Sequence, residues 1–395
     1  MALIVGVPKE TYPGERRVAL VPAAVPALTG KGLEVLVEAG AGAAAGYPAS
    51  EYKRRGARTA PSREEVFAQA GVILQVRTPG ANPERGADDV GLLRPEQILI
   101  GFAEPLTAHE AMKALAGRRV ATFALELLPR ISRAQGMDAL SSMATVSGYK
   151  AVLLAGNTFG RLFPMMMTAA GTVAPARVLV VGAGVAGLQA IATARRLGAV
   201  VEGYDIRPAA KAEVESLGAK FVELPIETQE AQDAGGYAKA QSEDFYRKQQ
   251  ELLGNAVAAC DILITTAAVP GKRAPVLVSE EMVARMAPGS VVVDLAAERG
   301  GNCALTVPGE TVERQGVVIH GPVNLPSDVP HTASQLYAKN ITNFLLHLYR
   351  DGAVQMDGEE PIGRETLVTR GGEIVNPKVR EALGLPATPA AGGRS

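Results

Sequence analysis

The chemistry in this chain is concentrated at Val178-Leu179-Val180-Val181-Gly182-Ala183-Gly184-Val185-Ala186-Gly187. A continuous apolar run breaks into G-x-G-x-x-G and then into a helically patterned stretch from Leu188 to Leu197. After Gly198 a second apolar run, Ala199-Val200-Val201, leads to Tyr204-Asp205. The pattern predicts a buried parallel strand, a tight turn, a helix, a second strand and an acid at its tip. Gly182 permits the turn, Gly184 lets a pyrophosphate approach the backbone, and Gly187 lets helix and strand pack closely. The helix N-terminus offers free N–H groups and a positive dipole end to phosphates. Asp205 is placed to accept from a ribose 2′-hydroxyl and to repel a 2′-phosphate, which predicts NAD(H) rather than NADP(H). Arg207, two residues on, is of the type that favours a 2′-phosphate, but Asp205 sits at the strand tip itself. With 43 glycines in 395 residues, a bare glycine pattern could be a structural turn. The flanking strand, helix and acid make the reading specific.

A second polar concentration runs from Arg130 to Ala144 and includes Arg130, Arg133, Gln135, Asp138, Ser141 and Ser142. Met137, Leu140 and Ala144 keep an i, i+3, i+7 apolar face, so its second half starts a helix with Asp138 and Ser141 together on the opposite side. Two readings stay open for it: a capped interdomain hinge, or a segment that holds a ligand at a domain crevice.

These groups need a scaffold, and the rest of the chain reads as one. The N-terminal third alternates strands (Leu3–Val7, Glu34–Glu38, Gly71–Val76, Gln97–Phe102, Arg119–Phe123) with helices at Pro22–Lys31, from Ser62, and at Thr107–Gly117. Ser62 and Glu65 have the spacing of a capping box. The middle carries strands at Arg177–Val181, Val200–Tyr204, Lys220–Leu224, Ile262–Thr265, Val291–Leu295 and Gly316–His320. Between the third and fourth of these, Gln229–Asn255 is polar and contains Gly235-Gly236-Tyr237; a mobile loop and a solvated insertion fit it equally well. A helix from Ala333 to Tyr349, with Leu336, Ile341, Phe344, Leu345 and Leu348 on its apolar face, is expected to return to the first domain. The expected fold class is α/β: two Rossmann-like doubly wound domains with a nucleotide cleft between them. Their expected extents are 1–140 with 328–382, and 141–327, followed by a flexible tail at 383–395.

Composition narrows the function classes. Lys plus Arg is 40 and Asp plus Glu is 41, so no basic excess points to nucleic acid. Aromatics are 4% and Trp is absent, which argues against base-stacking platforms. Cys260 and Cys303 form no disulfide framework and suit a reducing cytosol. No apolar run is long enough for a membrane span; the nearest, Phe159–Gly182, is broken by Arg161, Pro164, Pro175 and Arg177. Met1–Gly6 lacks a basic leader region and reads as a first strand. The composition and the four histidines indicate no metal centre. Each of His109, His320, His331 and His347 reads as a surface or packing residue.

The chain resembles the NAD(H)-binding component (domain I, or alpha-1 subunit) of the proton-translocating nicotinamide nucleotide transhydrogenases, relatives of alanine dehydrogenase. The matching segments are Gly6–Glu10 with Glu15–Leu20, Arg130–Gln135, Met137-Asp138 with Leu140–Ser142, Gly182–Ala190, Gly235–Lys239, Thr265–Ala267 and Pro288–Ser290. The resemblance spans about residues 1–376, and Arg130–Gln135 and Gly235–Lys239 are the segments specific to the transhydrogenase branch. It implies that Arg130, Gln135, Asp138 and Ser141 orient the nicotinamide, with Ile131 and Ser132 beside them. It implies that Tyr237, after Gly236, tips a loop over bound nucleotide, with Gln249 further along. It implies an adenosine-ribose site at Asp205, Ile206 and Arg207, and a nucleotide contact at Ala268. It also implies a homodimer at the cytoplasmic face of the inner membrane. NADP(H) would lie on a partner subunit, and proton translocation would belong to membrane subunits.

The rival is alanine dehydrogenase. In that family a Lys lies near Gln75-Val76-Arg77 and a His near Gly101–Glu104, and this chain lacks both; the family's acid corresponds to Glu298, and Arg16 is shared by both branches. Hydride exchange between two nicotinamides needs no proton transfer at the reacting carbons, so such losses suit it. A third possibility is an NAD-responsive binding module without catalysis.

Overall fold

The computed structural model describes residues 2–223, 243–268, 271–356 and 360–386, with the side chains of 243–246 left aside. The chain divides into two compact units, Met1–Met143 with Pro326–Ser395, and Ala144–Leu325, the first division falling inside the helix Ala139–Thr158.

The first unit is built on an eight-stranded sheet in the order Glu373–Ile374, Leu367–Arg370, Ala121–Ala124, Ile98–Phe102, Val72–Arg77, Ile4–Val7, Glu34–Glu38, Arg58–Ala60. The strands from the N-terminal third pair in parallel. Leu367–Arg370 adds antiparallel to Ala121–Ala124. Val72, Ile73, Leu74, Leu99 and Ile100 are wholly buried, which is why these strands read as continuous apolar runs rather than alternating ones. The helix Pro330–Leu348 packs in this unit, burying Tyr337, Ile341, Phe344 and Leu345 at i, i+4, i+7, i+8 spacing. Phe344 meets Phe123 edge-on at 5.7 Å, and the Tyr337 hydroxyl donates to the Gln75 carbonyl at 2.8 Å. Leu336, expected on the inner face, points outward, and Tyr337 takes its place. Ser62 accepts from Glu65 N–H at 3.3 Å, but the Glu65 carboxylate turns to Gln69 instead of completing the box.

The second unit is a seven-stranded sheet in the order Lys220–Phe221, Val200–Tyr204, Arg177–Val181, Ile262–Thr265, Val291–Asp294, Val317–His320, Thr311–Arg314. All pair in parallel except Thr311–Arg314. The order runs outward in both directions from the neighbours Arg177–Val181 and Ile262–Thr265, which creates a topological switch point at their C-terminal ends. Burial of Val178, Leu179, Val180 and Val181 anchors the central strand, each side chain contributing about 1.5–3 kcal/mol. Thr311–Arg314 carries no strand pattern in the sequence because it is mostly exposed. The segment read as a polar connection to Asn255 is helical from Glu243 to Ala259, with Leu253 and Val257 buried one turn apart. The expected loop tip at Gly236 and Tyr237 lies outside the described residues.

Candidate functional site

The site is assembled at the C-terminal end of the strand Arg177–Val181. Gly182 turns the chain with φ of 98°, a left-handed conformation that side chains resist, and its N–H donates to the Tyr204 carbonyl at 2.8 Å. Its own carbonyl accepts from the Thr266 hydroxyl at 2.8 Å, tying the turn to the neighbouring strand end. Gly184 precedes the helix Val185–Arg196, and no side chain caps that helix. The first N–H groups, from Val185, Ala186 and Gly187, therefore remain for a ligand. A Cβ built on Gly184 meets nothing within 4 Å, whereas one built on Gly187 would lie 1.8 Å from the Gly182 carbonyl oxygen. The cradle thus has the open approach at its middle glycine, and the close packing at its last, that a pyrophosphate site requires.

Asp205 follows the strand Val200–Tyr204, and its side chain is 8% exposed. One carboxylate oxygen accepts from Arg207 N–H at 2.8 Å and Nε at 2.9 Å. The other accepts from Ala183 N–H at 2.7 Å and Arg207 Nη2 at 2.8 Å. Arg207 is thus folded back onto Asp205, and this hydrogen bonding raises its already high pKa against the opposing effect of burial. Ile206 is partly buried against the second unit's core. Gln249 is wholly buried; its Nε2 donates to the Tyr204 hydroxyl at 2.7 Å and its Oε1 has no hydrogen-bond partner. It stands behind Tyr204 and supports it, away from any exposed surface. Ala268 is exposed beyond the end of Ile262–Thr265. The residue that secures its neighbour, Asn302, is invisible to sequence reasoning: it lies far along the chain, inside a glycine-rich turn that carries no periodic signal.

In the first unit, Arg130, Ile131, Ser132 and Gln135 are all exposed, Gln135 on the 3₁₀ turn Ser132–Met137. That turn is held from below, where the Gly136 carbonyl accepts from Asn340 at 3.1 Å and Asn343 at 2.9 Å. Arg133 pairs with Glu360 at 2.8 Å. Asp138 accepts from the Ser141 N–H at 2.8 Å and hydroxyl at 2.5 Å, so the expected pair does come together and caps the helix Ala139–Thr158.

Where alanine dehydrogenases carry acid–base groups, this unit has structural ones. Gln75 is 1% exposed and gives its amide to Asp89 at 2.8 Å. The backbone N–H groups of Ala103 and Glu104 both donate to one oxygen of Glu126. In the second unit, Glu298 accepts from Asn324 N–H at 2.7 Å. The histidines are likewise occupied: His109 on the Leu106 carbonyl, His320 between Thr158 and Thr311, His331 stacked on Tyr47 and His347 against Glu360. Burial keeps His320 below the usual histidine range.

Glu126 yields a pH prediction. Burial, helped by the charge of Glu104, raises its carboxyl from the ordinary 4.5 to about 7, and its second oxygen has no partner. Its raised folded-state affinity for the proton contributes stability that is complete below pH 4.5 and is lost as pH rises through about 7. At about 1.4 kcal/mol per tenfold change in proton affinity, that contribution is about 3 kcal/mol. Glu126→Gln should therefore flatten the fall in unfolding free energy between pH 4.5 and 7, measured by urea denaturation. An unchanged slope would show that Glu126 titrates normally.

Comparison with known proteins agrees with this geometry. Residues 6–147 match the model of the alanine dehydrogenase/PNT N-terminal domain, and residues 151–377 that of the C-terminal domain. The first of the separately encoded parts of the NAD(P) transhydrogenase alpha subunit of Rhodospirillum rubrum is 49% identical over 376 residues, covering 94% of this chain and 98% of the relative. The crystal structure of a transhydrogenase from Sinorhizobium meliloti superposes with a TM-score of 0.83 at 45% identity, covering 94% of this chain and all of that one. An L-alanine dehydrogenase structure is similar with a TM-score of 0.81, at 26% identity and 97% and 99% coverage. The chain belongs to the alanine dehydrogenase/PNT family, on its transhydrogenase alpha-subunit side.

Proposed function

We propose that this chain is the NAD(H)-binding peripheral subunit of a proton-translocating transhydrogenase. It works by direct hydride transfer to NADP⁺ held on a separate partner subunit, with proton translocation in membrane subunits. The observation that carries this reading over deamination of alanine is Gln75, a neutral amide spent on Asp89 where a dehydrogenase needs a proton-handling cation. Bound NADH would supply the C4 hydride. The chain's own residues then have binding and orienting work. The Val185–Gly187 N–H groups hold the pyrophosphate, and Asp205 with Arg207 reads the adenosine ribose. The exposed Arg130, Gln135 and the Asp138–Ser141 pair present polar groups to the carboxamide, with Ile131 and Ser132 beside them. Catalysis of this kind is positioning and exclusion of water rather than general acid–base work. Tyr237, Gly236 and Ala268 join the site in the same reading.

Homodimerisation belongs to the proposal. The hairpin Met166–Thr168 with Gly171–Val173 forms a separate two-stranded sheet, and it leaves Met165 at 61% and Met167 at 81% exposure, an apolar surface suited to a second copy. Among the described residues no helix is long and apolar enough to cross a membrane, which supports a peripheral position at the cytoplasmic face.

The test mixes the purified chain with a separately purified NADP(H)-binding partner and follows hydride transfer from NADH to an NADP⁺ analogue. A parallel arm supplies pyruvate and ammonium without the partner. Transfer that requires both proteins, with no pyruvate turnover, is the expected result. Pyruvate-dependent NADH loss by the chain alone would make it a dehydrogenase. Binding of NADH with neither reaction would leave a binding module.

A further inference from the structure

The strands Ile262–Thr265 and Val291–Asp294 end side by side, with Thr265 in register with Asp294. Asp294 is fully buried. It has no cationic partner among its hydrogen bonds but accepts five: from Thr265 Oγ1 at 2.9 Å, Ala296 N–H at 3.0 Å, Asn302 N–H at 2.7 Å, Cys303 N–H at 3.0 Å and Thr306 Oγ1 at 2.7 Å. Such a carboxylate fixes the returning loop rigidly, since each donor it engages would otherwise be orphaned in the interior. One of the residues it holds, Asn302, is also fully buried. The Asn302 side chain clasps Ala267 on both backbone edges, accepting from Ala267 N–H at 2.9 Å and donating to the Ala267 carbonyl at 2.8 Å, with a further bond to the Pro275 carbonyl at 2.8 Å. The asparagine thereby substitutes for a strand neighbour just where Ile262–Thr265 has run out of sheet. Next to Ala267 in the chain, Thr266 bonds the Gly182 carbonyl, so the clasp ends beside the dinucleotide turn.

The strand order says which part of a ligand this backbone faces. Asp205, the ribose acid, ends a strand on one side of the switch point, and Thr265 and Asp294 end strands on the other. A dinucleotide laid across the crevice puts its adenosine half on the first side and its nicotinamide half on the second. We infer that Asn302, locked by Asp294, is a positioning residue that sets the Ala267–Ala268 backbone against the nicotinamide half of the bound dinucleotide. This rests on the NAD(H)-binding reading above.

The experiment uses two ligands that share the adenosine half. NADH binding is followed by its fluorescence and ADP binding by calorimetry, on the full chain and on Asn302→Ala. NADH affinity should fall about tenfold, the equivalent of one net hydrogen bond, while ADP affinity stays within about twofold. Thr265→Val removes one donor to Asp294 with little change of shape, and should shift the same ratio by about threefold; it decides the matter if Asn302→Ala does not fold. An equal loss of both ligands, or no change in the NADH-to-ADP ratio in a folded variant, would overturn the assignment. Failure of the unaltered chain to bind either ligand would instead overturn the NAD(H) reading beneath it.

Discussion

Asp205→Ala weakens NADH binding by about 1–3 kcal/mol if the carboxylate accepts from the ribose, and it does more than remove one contact. In the present arrangement both Asp205 oxygens are engaged, by Ala183 N–H and by three groups of Arg207. The substitution therefore also unties the dinucleotide turn at Ala183 and releases a guanidinium beside the ribose position. A freed arginine is suited to a 2′-phosphate, for which it offers paired donors and a full charge. The expected result is a double movement: NADH affinity falls, and the preference for NADH over NADPH narrows by roughly tenfold or more. Fluorescence titration with both reduced nucleotides reads it directly. Unchanged NADH affinity would remove Asp205 from the site. A fall in NADH affinity with the preference intact would mean that Arg207 stays out of reach of the 2′ position.

The second large effect separates two glycines three residues apart. At Gly187 an added methyl would sit 1.8 Å from the Gly182 carbonyl oxygen, and backbone cannot yield as a side-chain end can. Gly187→Ala should cost about 3 kcal/mol of stability, at the upper end of overpacking penalties, and lower the melting temperature by several degrees. At Gly184 the methyl meets nothing within 4 Å, and φ of −75° with ψ of −171° suits alanine. Gly184→Ala should melt within about a degree of the parent, yet bind NADH on the order of a hundredfold more weakly, because the methyl occupies the pyrophosphate's approach. Thermal melts and NADH titrations on the two variants give a crossed pattern. A Gly184→Ala chain that binds as well as the parent would place the phosphates elsewhere, and a fully stable Gly187→Ala chain would show that strand and helix can separate without cost.

What can be read from the sequence is local. The buried strands declare themselves because both faces of each parallel strand are covered, so their residues are apolar without interruption. The glycine turn, its helix and Asp205 lie within about two dozen residues, and strand length and helical rise place them together without any help from the rest of the fold. Asp138 and Ser141, three apart at a helix start, meet for the same reason. Partners brought together by the fold escape this kind of reading. Asn302 reaches Ala267 only because two strands separated by a crossover end in register, and Asp294 reads as one more residue in an apolar strand until its five donors assemble around it. Gln249, expected among the ligand-binding groups, is turned inward onto Tyr204 by the packing of the helix Glu243–Ala259. The edge strand Thr311–Arg314 and the exposed hairpin at Met166–Val173 leave no pattern because little of either is buried. Spacing along the chain thus determined the nucleotide turn and its strands, where hydrogen bonds and apolar burial act over a few residues. The tertiary structure alone decided what braces them, since those contacts exist only once the sheet has closed the distance between remote segments.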